Sequence, residues 1–174
     1  MKINVEQCAQ ILKEQNNILI LTHSHPDGDT LGSGFALCRA LLSLGKKARV
    51  ICADEIQSKY NYLFSNIEMP DFKEDFIVAV DVATENLLGD LCDKYSGKID
   101  LCIDHHGTNT DYAKSLLLNA DAAACCEIIL KVIKALNVKI DKDIAGCLFT
   151  GITTDTGCFR YASSTSNTFR AAAE

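Results

Sequence analysis

Short apolar runs alternate with amphipathic segments along the chain. The apolar runs predict buried strands at residues 18–21, 48–52, 76–80, 99–103 and 115–118. Apolar residues that recur every three or four positions predict helices at residues 5–14, 31–44, 85–95, 122–136 and 142–154. Such alternation is typical of α/β proteins. We therefore predict an α/β fold, with a mainly parallel β-sheet of about five strands and helices on both faces. No helix or strand is predicted at residues 54–75.

Acidic and imidazole side chains follow three of these predicted strands directly. The first strand is followed by THSHPDGD, the strand at 76–80 by Asp81, and the strand at 99–103 by Asp104, His105 and His106. The carboxyl ends of parallel strands meet at one edge of a sheet, where ligands bind. We therefore expect these side chains to converge, together with Asp155 from the segment GITTDTG.

Each of these segments also has a plain structural interpretation. Asp81 alone is more often a helix cap or a turn residue, PDGD alone is a good turn, and Asp155 alone could end a helix. Their joint position is harder to explain in this way, because clustered carboxylates need protons, cations or metal to neutralise them. No basic cluster accompanies them in the sequence. Mixed carboxylate and imidazole ligands suit divalent ions such as Mn²⁺, Mg²⁺, Zn²⁺ or iron.

Composition excludes several classes of protein. No apolar run in the 174 residues approaches the roughly 20 that a membrane-spanning helix needs. The N-terminus lacks the apolar core of a signal peptide, and the nine cysteines include no C-x-x-C pair. These features favour the reducing cytoplasm over a secreted, disulfide-linked protein. The net charge of −6 disfavours nucleic-acid binding over a broad basic face.

Four motifs carry a resemblance to a known family. HSHPDGDTLGS, VAVDVAT, DHHGTN and GITTDTGCFRY resemble, in this order, the motifs of the DHH phosphoesterase superfamily. The resemblance spans residues 18–161 and is strongest to the nanoRNase group. That group hydrolyses short oligoribonucleotides and 3′-phosphoadenosine 5′-phosphate (pAp). The resemblance therefore implies a cytoplasmic, metal-dependent phosphoesterase that acts on short RNA or pAp.

The resemblance also implies roles for individual residues. It implies two divalent metal ions, Mn²⁺ first, with Mg²⁺, Co²⁺, Fe or Zn²⁺ as alternatives. The implied ligands are His23, Asp27, Asp29, Asp81, His105 and Asp155, with Asp81 bridging the two ions. The implied catalytic residues are Asp29, Asp81, His105, His106 and Asp155. His106 and Arg160 are expected to contact the substrate phosphate, and Asp104 to orient an imidazole from behind the ligands.

His25 and Cys158 are expected to take no part. Gly28, Gly32 and Gly34 could let a phosphate approach a helix N-terminus, although this signal is weak alone.

Several alternatives stay open. We interpret residues 1–174 as a single DHH catalytic domain of a longer protein, whose C-terminal substrate-binding domain is absent from this chain. The expected partners are short RNA or pAp as substrate, that further domain, and a second copy as a candidate homodimer; no membrane is expected. Alternative functions are a cyclic-dinucleotide phosphodiesterase or a manganese-dependent inorganic pyrophosphatase. A non-enzymatic metal- or nucleotide-binding module is disfavoured, because the ligand motifs are complete.

Overall fold

One sheet of five parallel strands forms the centre of the molecule. The computed structural model describes residues 1–174, and its strands are β1 (Ile18–Leu21), β2 (Ala48–Ile51), β3 (Phe76–Val80), β4 (Leu101–Asp104) and β5 (Ser115–Leu118). They lie in the order β2-β1-β3-β4-β5, and every neighbouring pair is parallel. The predicted α/β fold with a parallel sheet is confirmed. The chain reverses its direction of travel across the sheet between β1 and β3, which is where open parallel sheets bind ligands.

The two faces of the sheet are covered unequally. The helices are α1 (Val5–Glu14), α2 (Gly28–Ser43), α3 (Cys92–Tyr95), α4 (Cys125–Ala135), α5 (Lys142–Asp155) and α6 (Ser166–Ala173), with 3₁₀ helices at Ser58–Leu63 and Glu85–Leu91. The larger apolar core joins α1, α2, α4 and α5 to one face. The smaller core covers the other face with α3, the preceding 3₁₀ helix and adjoining loops. No helix combines the length and apolar character needed to cross a membrane.

The prediction of one helix at residues 85–95 is wrong. The segment is a 3₁₀ helix followed by α3, and Gly89 interrupts it with φ 58° and ψ −134°. Gly89 also lies so close to the loop after β1 that an added Cβ would come within 2.9 Å of the Ser24 Cβ. A hydrogen bond of 2.6 Å from Ser24 N to the Leu87 carbonyl joins the same two segments. The break therefore lets this segment support the loop that carries His23.

Two helices begin at residues other than those predicted, and both differences involve aspartates. Helix α2 begins three residues before Leu31, because the Asp27 carboxylate accepts hydrogen bonds from the backbone N–H groups of Asp29 and Thr30. Helix α4 begins at Cys125, after a cap residue whose side chain makes no capping hydrogen bond. The Asp29 carboxylate caps α4 instead, at 2.5 Å from Cys125 N and 2.9 Å from Cys126 N.

Glycines bring α2 and α5 into close contact. A Cβ on Gly28 would lie 2.5 Å from Thr154 Oγ1, and one on Gly32 would collide with the Cys147 carbonyl. A Cβ on Gly151 would collide with Cys126 Sγ and lie 2.6 Å from Asp29 Oδ1. Gly28 and Gly32 therefore serve helix packing. This packing places the C-terminal end of α5 beside the N-terminal end of α2.

Candidate metal centre

The carboxyl edge of the sheet gathers the acidic and imidazole side chains that follow the strands. Three groups of ligand-type atoms lie there, and within each group all atoms are within 4.8 Å of one another. The groups are His23, Asp27 and Asp81; Asp29, His105 and Asp155; and Asp81, His105 and His106. Asp81 belongs to two groups and lies at the end of β3, beside the end of β1. The structure therefore brings together the six residues that the family resemblance implies as metal ligands.

Asp81 occupies the centre of this arrangement with an unusual backbone. Its φ of 59° lies in the left-handed region, which few residues other than glycine adopt. The buried carboxylate presents its two oxygens to different partners: Oδ2 lies 3.7 Å from His23 Nε2, and Oδ1 lies 3.4 Å from His105 Nε2. One carboxylate thus faces two separate sets of ligand atoms.

Backbone carbonyls fix the tautomers of His23 and His105. His23 Nδ1 lies 2.7 Å from the Ser24 carbonyl, and His105 Nδ1 lies 3.1 Å from the Ala122 carbonyl. A carbonyl oxygen can only accept, so each Nδ1 carries a hydrogen. The Nε2 atom of each neutral ring then has its lone pair available, which is the usual arrangement of histidines that bind metals.

Unsatisfied buried atoms test whether a metal ion fits these residues. Asp81 Oδ1 and His105 Nε2 are both buried and have no hydrogen-bond partner. Leaving such a group unpaired costs about 1–3 kcal/mol, and more when it is charged. A cation between these atoms would satisfy both, and a set of carboxylates and imidazoles suits Mn²⁺, Mg²⁺ or Zn²⁺. The donor set therefore fits a divalent metal ion.

The carboxylates perturb one another and the neighbouring imidazoles. Burial, together with the charges of Asp81 and Asp155, raises the pKa of Asp29 well above its usual value. Burial and the Asp81 charge raise the pKa of Asp155 to about 6. Burial alone would raise the pKa of Asp81, but His105 and His23 outweigh it and lower this pKa to about 2. Burial opposes the charged form of His23 and His105, yet the adjacent carboxylates raise the pKa of each to about 10. The metal-free site therefore holds protons that a bound cation would displace.

Asp104 lies behind the ligand-type residues and orients His106. The buried Asp104 Oδ1 accepts hydrogen bonds of 2.8 Å from both His106 Nδ1 and the His105 backbone N–H. Asp104 Oδ2 accepts a hydrogen bond of 2.7 Å from Asn109 Nδ2. Sequence reasoning assigned no role to Asn109, although this residue ends the motif DHHGTN. His106 Nε2 makes no hydrogen bond within the protein, so it can meet an external group.

Three other residues considered from the sequence lie outside the ligand groups. Arg160 is exposed in the turn after α5, and its Nε donates to the Gly157 carbonyl at 2.8 Å. The His25 side chain is 93% exposed and lies 3.5 Å from Asp54. Cys158 is exposed and has a positive φ of 58°. None of the three contributes an atom to the ligand groups.

The raised histidine pKa values predict how the stability of the metal-free protein depends on pH. The pKa of His23 and His105 rises from an ordinary 6.5 to about 10 on folding. Their contribution to stability is therefore fully present below pH 6.5 and is lost as the pH rises through 10. We expect the Tm in EDTA to fall by several degrees between pH 6.5 and 10. Thermal melts should show a shallower fall for His23→Gln than for the exposed control His25→Gln. Equal slopes for the two variants would contradict this assignment.

Comparison with known proteins places this chain in a family. The model of the "DHH family, N-terminal domain" matches residues 17–152. The chain is 36% identical over 172 residues to the bifunctional oligoribonuclease and PAP phosphatase NrnA of Thermus thermophilus, covering 95% of this chain and 52% of that protein. It is 29% identical over 169 residues to a probable manganese-dependent inorganic pyrophosphatase of Bacillus licheniformis, covering 91% and 54% respectively. The chain thus spans about half the length of the curated relatives it matches.

A solved structure shares the fold. An exopolyphosphatase-related protein from Bacteroides fragilis superimposes with a TM-score of 0.86 at 23% identity, covering 97% of this chain and 54% of that chain. The family match contains the strands β1–β5 and the residues His23, Asp27, Asp29, Asp81 and His105. The chain therefore belongs to the DHH family.

Proposed function

We propose that this protein is a metal-dependent phosphoesterase that hydrolyses short oligoribonucleotides or pAp with two divalent ions, Mn²⁺ being the first candidate. One observation carries the proposal. The buried Asp81 carboxylate faces His23 with one oxygen and His105 with the other, and the second of these oxygens has no hydrogen-bond partner. A carboxylate shared in this way is suited to bridging two cations.

The ligand groups divide between two positions. His23, Asp27 and Asp81 would hold one ion, and Asp29, Asp81, His105 and Asp155 would hold the other. When bound, two such ions polarise a phosphoryl group and lower the pKa of a water molecule. The backbone N–H groups of Cys125 and Cys126 hold the Asp29 carboxylate in place. No side chain of the protein then needs to act as the nucleophile.

His106 is the residue suited to contact the substrate phosphate. The Asp104 carboxylate raises the pKa of His106, which favours a charged imidazolium. With Nδ1–H donating to Asp104, the Nε2–H of that ring can donate to a phosphate oxygen. Arg160 is a second candidate for this contact, because only its Nε is engaged by the protein. Both residues would neutralise substrate charge in a chain whose net charge is −6.

The substrate class rests on the family relatives. The Thermus thermophilus protein is named for its action on oligoribonucleotides and PAP, and it is about twice as long as this chain. We infer that residues 1–174 form a catalytic domain and that a second domain completes the substrate site. A small phosphodiester needs little beyond the metal centre, whereas pAp and dinucleotides gain from groups that hold their remote parts.

Inorganic pyrophosphate is the second candidate substrate. The observation in its favour is the 29% identity to a probable manganese-dependent inorganic pyrophosphatase over 91% of this chain. Pyrophosphate carries no nucleoside, so a site that hydrolyses it need provide only cations and phosphate contacts. The two candidates therefore share one metal centre and differ in the groups that surround it.

An activity assay separates these candidates. We expect the chain with 1 mM Mn²⁺ to hydrolyse bis(p-nitrophenyl) phosphate, to hydrolyse pAp and diribonucleotides more slowly, and to lose all three activities in EDTA. The measurement is kcat/KM for each substrate and for pyrophosphate. Faster hydrolysis of pyrophosphate than of pAp and dinucleotides would favour the second candidate. Absence of Mn²⁺-dependent hydrolysis of all four compounds would show that the proposed function is wrong.

A further inference from the structure

The Val82–Ala83 peptide, one residue beyond Asp81, is held by side chains from the less covered face of the sheet. The carbonyl of the buried Val82 accepts a hydrogen bond of 2.8 Å from the Tyr112 hydroxyl and one of 3.3 Å from Asn109 Nδ2. The thiol of Cys102 lies 3.7 Å from the same oxygen. Burial raises the pKa of the Tyr112 hydroxyl, so the phenol stays protonated and remains a donor. Three donor side chains thus converge on one backbone carbonyl.

The peptide that precedes Asp81 is held as well. The hydroxyl of Thr30, a fully buried residue, donates to the Val80 carbonyl at 3.2 Å and accepts from the His23 backbone N–H at 3.3 Å. The Asp81 N–H itself donates to the Ile103 carbonyl at 2.9 Å. The Val80 carbonyl, which adjoins Asp81, and the Val82 carbonyl, one residue beyond it, therefore both have fixed directions.

These contacts explain how Asp81 keeps a conformation that its residue type disfavours. A left-handed residue that is not glycine is strained and persists only when its surroundings determine it. Rotation of Asp81 to a negative φ would change the course of the chain on one side of it, so that the hydrogen bonds to the Val80 and Val82 carbonyls could not both be kept. It would also turn the carboxylate away from one of the two histidines that its oxygens now face.

We propose that Tyr112 is a positioning residue of the metal centre, whose hydroxyl holds the Val82 carbonyl and so keeps Asp81 aimed at both metal positions. The Thr30 hydroxyl performs the same task on the preceding peptide. The inference rests on the proposed function, because it assigns the two positions to cations. Neither hydroxyl contacts a metal ligand side chain, and both act through the backbone on either side of Asp81. Asn109 donates to both Val82 and Asp104, so it couples the orientation of His106 to the same carbonyl.

The test compares two tyrosine-to-phenylalanine variants of the same core. Tyr112→Phe removes the hydroxyl that bonds Val82, whereas Tyr95→Phe removes a hydroxyl that bonds Glu74, away from Asp81. Calorimetric titration gives the number and Kd of Mn²⁺ ions, and electron paramagnetic resonance distinguishes an exchange-coupled Mn²⁺ pair from isolated ions. For Tyr112→Phe we expect a Kd about tenfold weaker, which corresponds to one hydrogen bond, and loss of the coupled signal. The kcat for bis(p-nitrophenyl) phosphate should fall more than KM changes, and Tyr95→Phe should match the wild type in all these measurements.

The outcomes separate this inference from the proposed function. A wild-type chain that binds no Mn²⁺ would contradict the proposed function, and the inference with it. A wild-type chain that binds a coupled pair, together with a Tyr112→Phe variant of equal Kd and signal, would overturn the inference alone. If Tyr112→Phe does not fold, Thr30→Val tests the same restraint from the other side of Asp81. An unchanged coupled signal in Thr30→Val would then overturn the inference.

Discussion

An Asp81→Asn variant is expected to lose the rise in Tm that millimolar Mn²⁺ gives the wild-type protein. A cation that binds only the folded chain stabilises it by an amount set by its concentration relative to Kd. Asparagine keeps the shape of the side chain but has one neutral oxygen and one NH₂ group that cannot bind a cation. Because Asp81 belongs to both of the ligand sets proposed above, neither set would remain complete. We expect kcat/KM for bis(p-nitrophenyl) phosphate to fall on the order of a thousandfold.

Asp111→Asn is the matched control for this substitution. Asp111 also has a left-handed φ, of 57°, but it is exposed and lies outside the ligand groups. The same chemical change there should leave the Mn²⁺-induced shift and the activity near the wild-type values. Thermal melts with and without 1 mM Mn²⁺ measure the first quantity. An Asp81→Asn protein that retained the full shift would show that Asp81 does not bind the cation.

A Gly151→Ala variant is expected to be less stable by about 3 kcal/mol, because its added methyl group has no space between α5 and its neighbours. The methyl group would collide with Cys126 Sγ and lie 2.6 Å from Asp29 Oδ1. This overlap can be relieved in two ways. Helix α5 can move outward, or the Asp29 carboxylate can give up its hydrogen bond from the Cys126 N–H. Either movement separates Asp29 from Asp155, so Mn²⁺ binding should weaken together with stability.

Gly146 offers a control in the same helix. A Cβ at Gly146 would meet nothing within 4 Å, so Gly146→Ala should stabilise the protein by about 0.5–1 kcal/mol through helix propensity. The midpoints of urea unfolding measure the difference in stability between the two variants. Similar midpoints for Gly151→Ala and Gly146→Ala would contradict the packing argument.

Much of the sheet could be predicted from the sequence, because a strand buried on both faces is a continuous apolar run. The bounds predicted for β1, β3 and β5 agree with the structure. The helix predicted at residues 85–95 failed because periodicity carries no information about the backbone of Gly89. The start of α4 depends on Asp29, which lies 96 residues from Cys125 in sequence. Contacts across such a separation are outside the reach of any local pattern.

The ligand-type residues of the candidate site could be predicted from the sequence. The residues that hold the backbone around Asp81 could not. Most of the acids and imidazoles could be found because they follow strands, and parallel strands end at one edge. Asp155 ends helix α5 and was found through the segment GITTDTG. The left-handed φ of Asp81 and its support by Tyr112 and Thr30 depend on which side chains pack beneath that edge. Asn109 lies within the motif DHHGTN, which indicates that it is near the site. Its hydrogen bonds to Val82 and Asp104 could not be predicted from that motif.

The parallel strand order also bears on how quickly the site forms and decays. Parallel neighbours must be joined by long crossovers, so the pairings that build this sheet are distant in sequence and form slowly. The ligand-type side chains come from segments on both sides of these crossovers. They meet only when the last of these segments has joined the sheet. We therefore expect the cation site to be incomplete in the folding transition state. Its binding should lengthen the lifetime of the folded chain by slowing unfolding and leave the rate of folding nearly unchanged.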